Sequence, residues 1–156
     1  MNNEIQTIAA SMQDVFNGNP WYGKPVLEIL TTVNHDKVYE KPNDQSHSMI
    51  ELLYHMITWV DFTLHRIEKN QNYDPGITES LDWRQTNHKQ HTWNNGIAEF
   101  TAGTNKIINL LQNSYDSLLD EKVDFRDYNF RVLLNGLIQH NIYHIAQIVF
   151  LNKSLS

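Results

Sequence analysis

No cysteine occurs anywhere in the 156 residues. That absence excludes disulfides and thiolate ligands, so any metal must be held by nitrogen and oxygen donors. It also means that thiol chemistry would need the thiol to arrive as a cosubstrate. A run of about 18 apolar residues, the minimum for a membrane-spanning helix, is missing too, so no membrane partner is expected. Positive charge is scarce. Twelve Lys and Arg stand against 18 Asp and Glu, for a formal charge of −6. No Lys/Arg cluster provides the basic footprint of a nucleic-acid binder, and no nucleic-acid partner is expected. There is no convincing strand alternation and no internal repeat. The opening Met1-Asn2-Asn3-Glu4 is acidic and starts an amphipathic pattern at once, unlike a signal peptide, which makes the cytoplasm the expected location.

What is present is helical periodicity in an ordinary globular composition, 40% hydrophobic and 19% charged, over a length that suits one domain, residues 1–156. Ile5, Ile8, Met12, Val15 and Phe16 keep helical spacing over residues 3–17 and stop at Asn17-Gly18-Asn19-Pro20. Val26, Leu27, Ile29, Leu30 and Val33 resume it after Pro25, which suits a first helical turn because its missing N–H costs nothing there. The break between them carries Trp21, read as an aromatic that plugs the kink, with a pocket wall as the other reading.

Ser48 followed by Glu51 reads as a capping box. It opens a helix whose stripe is Leu52, His55, Thr58, Trp59 and Phe62 and which ends near residues 70–72. Tyr73–Ser80 is a turn-rich connection long enough, if extended, to carry a crossover. A third helix is expected from Leu81-Asp82 to about Gln112, bent near Asn94-Asn95-Gly96 and Gly103. An acidic loop, 114–129, is expected to be solvated, and a last helix runs from about Phe130 to Asn152. Four helical arms make an all-α four-helix bundle.

The last arm carries the chemistry. His140 and His144 are four residues apart within Gly136–Ile148, so on a helix both imidazoles point the same way, along the face of Leu133, Leu137, Ile148 and Leu151. Imidazoles aimed into an apolar interior need partners. A divalent metal is one, and a hydrogen-bonded polar seam is the other. His55, on the core face of its own helix, completes a three-nitrogen set. Three protein ligands with open positions is the catalytic rather than the structural pattern. Gly136, one turn before His140, leaves room beside such a metal. The rival pair, His88 and His91, has polar neighbours and reads as a solvated face.

Three segments in order resemble the DinB-like superfamily of metal-binding four-helix bundles, in its YfiT-like branch. They are Trp21-Tyr22-Gly23-Lys24-Pro25, Ser48-Met49-Ile50-Glu51-Leu52-Leu53-Tyr54-His55, and Gly136 to Ile148. The last is similar to a His-x-x-x-His-x-Gly-Gln-Ile signature, with Ala146 where Gly is usual. The resemblance implies a metal triad of His55, His140 and His144, an up-down-down-up bundle and a homodimer. It also implies either a thiol-dependent transferase or a metal-dependent hydrolase acting on a small molecule.

Three neutral imidazoles suit zinc or nickel first, with iron or copper as further candidates. A bound thiol would be held as thiolate and attack an electrophile; a bound water would hydrolyse. Glu51, one turn before His55, is the acidic candidate for proton acceptor and equally the capping residue of its helix. The remaining alternative is a bundle that binds a metal or small molecule without catalysis.

Overall fold

The computed structural model describes residues 3–156. Met1 and Asn2, part of the stretch read as unlike a signal peptide, lie outside the described residues. Seven α-helices are present among them: α1 (Glu4–Asn17), α2 (Val26–Thr32), α3 (Met49–Ile67), α4 (Pro75–Leu81), α5 (Trp93–Gln112), α6 (Ser117–Asp120) and α7 (Phe130–Ser154). The described residues contain no strand beyond one isolated antiparallel bridge, Lys122 to Asn129. No helix is long and apolar enough to cross a membrane.

Helix α3 is the centre of the fold, with 14 of its 19 residues buried. Its start is set locally. The Ser48 hydroxyl accepts from the Glu51 backbone N–H, and the Glu51 carboxylate accepts from the Ser48 N–H at 2.9 Å. Helix α3 packs on α5 and α7, and α1 packs on the same two helices from the far side. Residue pairings fix the relative directions. Gly96 lies against Leu53 and Tyr54, and Gly103 lies against Val60, so α3 and α5 run the same way. His55 meets His140 and His144, while Trp59 and Thr63 share a cavity with Val132 and Gly136, so α7 runs against α3. The Gln6 side chain reaches Leu111 and Phe16 packs on Phe100, so α1 runs against α5.

Four sequence expectations are corrected here. The third long helix begins at Trp93, not at Leu81-Asp82. Between α4 and α5 the Asn87 side-chain oxygen accepts from the N–H groups of Lys89 and Gln90 at 3.1 and 2.9 Å, a local bond that competes with helix. The Thr92 hydroxyl then accepts from the Asn95 N–H at 3.2 Å and caps α5. The 73–80 connection is largely helical, because Asp74 accepts from the Gly76 N–H and Pro75 occupies the first turn of α4. Trp21 plugs nothing. It is fully exposed, and its neighbour Tyr22, not Trp21, borders a cavity against Ile142 and Ile145 of α7. The 114–129 loop is not merely solvated: Asp116 accepts from the N–H groups of Glu4 and Ile5 at 3.1 and 2.9 Å, placing negative charge at the N-terminus of α1.

Candidate metal centre

His55, His140 and His144 converge between α3 and α7. They form the one group of ligand-type side chains among the described residues whose donor atoms all lie within 4.8 Å of one another. The spacing within α7 places His140 and His144 a turn apart, with ring centroids 4.4 Å apart. His55 lies 4.8 and 4.6 Å from them by the same measure. His55 and His144 are buried at 5% and 6% exposure; His140 is only partly buried and forms the accessible edge.

The outward nitrogens of His55 and His144 are already engaged. His55 Nδ1 lies 3.1 Å from the Asp82 carbonyl oxygen and 2.8 Å from Asp82 Oδ1. Both are acceptors, so the ring carries its proton on Nδ1 and keeps a lone pair on Nε2. His144 Nδ1 lies 2.6 Å from Gln147 Oε1 and is fixed in the same tautomer. His140 Nε2 stands 2.9 Å from His55 Nε2, while its own Nδ1 is buried without a partner. Among the described residues the neighbouring Asn141 side chain is the only other group that acts on this ring as a hydrogen-bond partner, and its geometry is poor, so His140 is the least satisfied of the three. A cation taking the Nε2 lone pairs of the three rings would replace the His140–His55 hydrogen bond. Three neutral imidazoles backed by a carboxylate and an amide fit a divalent borderline metal, and a carboxylate behind a ligating histidine is a recurrent arrangement.

The electrostatics keep the rings neutral. Burial pushes all three imidazoles below their ordinary value, His140 furthest, to about 4, where the charges of His144 and His55 act in the same direction. At His55 the oxygens of Asp82 oppose the shift without cancelling it. A neutral ring is the form that ligates.

Asp82 and Trp83 carry no sequence signal as site residues. Asp82 lies 27 positions from His55, and no spacing rule links the two. Its carboxylate also accepts from Trp59 Nε1 at 2.8 Å, which holds it in place. Trp83 is sandwiched between His47 and His55 at centroid distances of 3.7 and 3.8 Å and covers the His55 face. Gln147, three residues beyond His144, is a supporting group that helical spacing already makes a candidate, either for this role or for helix packing.

Glu51 takes a different place. Besides closing the capping box, its carboxylate accepts from Lys41 Nζ at 2.8 Å and lies 3.5 Å from His47 Nδ1. Burial pushes its carboxyl up, but the hydrogen bonds from Lys41 and the Ser48 backbone outweigh that and hold it below the usual range. The carboxylate that touches a triad ring is that of Asp82. His88 stacks on Tyr39 at 3.7 Å, and the His91 Nδ1 accepts from the Asn87 N–H, so the rival pair is spent separately. Gly136 does leave room. A Cβ there would meet nothing within 4 Å, and with His140 it borders a cavity of about 290 Å³.

Known proteins share the family and the fold. A profile described as the DinB superfamily matches residues 24–148, a span that includes all three histidines. The crystal structure of a DinB-like protein from Bacillus subtilis, YjoA, superposes with a TM-score of 0.62 at 19% identity, over 98% of this chain and 92% of that one. At that identity the likeness speaks for the fold. No curated protein matches the chain.

Proposed function

The chain belongs to the DinB superfamily, and from that premise we propose that it is a metal-dependent enzyme working at His55, His140 and His144. Its reaction is the transfer of a low-molecular-weight thiol to an electrophilic small molecule. The observation that supports this reading is the convergence of three neutral imidazoles with Asp82 and Gln147 behind two of them, beside an open cavity. A divalent ion, zinc or nickel before iron or copper, would supply Lewis acidity that lowers the pKa of a thiol or water joining its free positions.

The chain's own residues do the rest. His55, His140 and His144 would hold the ion, and Asp82 and Gln147 keep two of the rings aimed. Trp83 shields the His55 side from water, and the His140 edge faces the space where a substrate enters. With no cysteine in the chain, no protein thiol competes for the ion. Hydrolysis is the second reading, because the partly exposed His140 edge gives water the same route to the centre.

Elemental analysis of purified protein, joined to parallel assays of thiol addition to an electrophile and of ester hydrolysis, tests both readings. Stoichiometric metal with chelator-sensitive thiol consumption is the expected result. Metal-loaded protein that turns over neither substrate, but melts far lower once stripped, would make the triad structural.

A further inference from the structure

The cavity beside His140 has a consistent chemistry. Trp59 and Tyr128 supply aromatic walls, and Val132, Leu133 and Leu137 supply aliphatic ones. No charged side chain lines it. The Thr63 hydroxyl already donates to the Trp59 carbonyl at 2.8 Å, and Trp59 Nε1 is taken by Asp82. A charged ligand group entering this space would lose its hydration and find little to replace it. An uncharged apolar group loses nothing comparable and gains by leaving water.

Gly136 decides the depth. It lies inside the 25-residue helix α7, where glycine is a poorer choice than alanine. Nothing in the fold requires the glycine, since a Cβ there would meet no atom within 4 Å. A side chain at 136 would instead occupy the cavity, one helical turn from His140. The missing side chain is thus explained by what must fit there, not by packing.

We propose that this cavity is the binding pocket for the uncharged, apolar part of the electrophilic substrate, an aromatic or branched aliphatic group, and that Gly136 is the residue that sets its size. The proposal rests on the reading of the neighbouring triad as a catalytic centre, and its test separates the two. Binding of 2-naphthalenemethanol and of 2-naphthoate, the same ring neutral and anionic, is measured by calorimetry on the parent protein, on Gly136→Ala and on Gly136→Leu, each as purified and again after chelation. Metal content and melting temperature are taken on the same samples. In protein stripped of metal by a chelator the alcohol is expected to bind at least about tenfold more tightly than the carboxylate, which then has no partner in the pocket. Gly136→Leu is expected to weaken the alcohol by at least about tenfold, the larger side chain displacing it from the apolar walls. Gly136→Ala should weaken it less while melting no lower than the parent, which removes misfolding as an explanation. Equal affinity in parent and Gly136→Leu, or a carboxylate bound as well as the alcohol in stripped protein, overturns the proposal. Alcohol binding in protein that purifies without metal leaves the pocket standing and removes the centre. Metal without alcohol binding does the opposite.

Discussion

Helix α3 has two long neighbours, and glycine means opposite things on its two sides. Toward α5, glycine lets backbones approach. A Cβ at Gly96 would stand 2.7 Å from Leu53 Cδ2, and one at Gly103 would stand 2.6 Å from Val60 Cγ1. Toward α7, the glycine at 136 leaves open space, and the seam is filled by imidazoles, indoles and a cavity. One side has given up side-chain volume for close packing, which serves stability. The other has given up packing for polar rings and room, which is the usual mark of a site. A residue type alone does not say which of these it serves; the distance to the opposite wall does.

The sharpest way to break the contrast is to empty the polar seam. His140→Ala or His144→Ala is expected to abolish stoichiometric metal binding, while His88→Ala leaves it unchanged, as read by elemental analysis. Equal metal in all three would erase the distinction between the seams. Asp82→Asn, which keeps the shape and removes the charge behind His55, should lower metal affinity by roughly 10- to 100-fold. Competition with a chromogenic chelator measures this, and an unchanged affinity would make Asp82 a bystander.

On the packed side, Gly103→Leu should cost about 1–3 kcal/mol, because the stiff Val60 cannot move aside. Denaturant unfolding checks it. Of similar size at most is the acid response of metal-free protein. The folded chain takes up the His140 proton only near pH 4, against an ordinary value of 6.5. Between those limits the unfolded chain binds more protons, so stability should fall as pH drops through that window. A flat melting temperature across it would mean that the ring is not buried as described. The smallest effect has the reverse sign: Gly136→Ala should gain up to about 1 kcal/mol, since it adds a helix-favouring methyl that clashes with nothing.

The divide between what the sequence discloses and what it withholds follows the range of the interactions. Helix α3 and its cap, helix α7 and the relation of His140 to His144 are all local, within one or two turns, and periodicity finds them. Matching His55 to that pair required only that both helices bury their apolar stripes. The 81–92 segment contains no proline or glycine to mark a stop, and the bonds of Asn87 that interrupt the helix are visible only once formed. The Asp74-Pro75 pair that opens α4 is different: a side-chain cap followed by proline is a local start signal, legible without any tertiary contact. Trp21 misleads for a physical reason. A large aromatic usually packs, but here the turn points Trp21 into solvent while Tyr22 beside it borders the α7 surface. Asp82 could not be foreseen, because its partnership with His55 exists only after the connection folds back over α3.

Two of the four tryptophans touch the centre. Trp83 lies flat on His55, and the indole nitrogen of Trp59 is bonded to the same carboxylate that steadies that ring. The other two sit elsewhere, Trp93 bonded to the Leu30 carbonyl in the core and Trp21 in open solvent. Intrinsic fluorescence is therefore wired to the site without any label. A paramagnetic ion such as copper or nickel arriving at the imidazoles would darken the inner pair, while the emission of Trp21 stays as an internal standard.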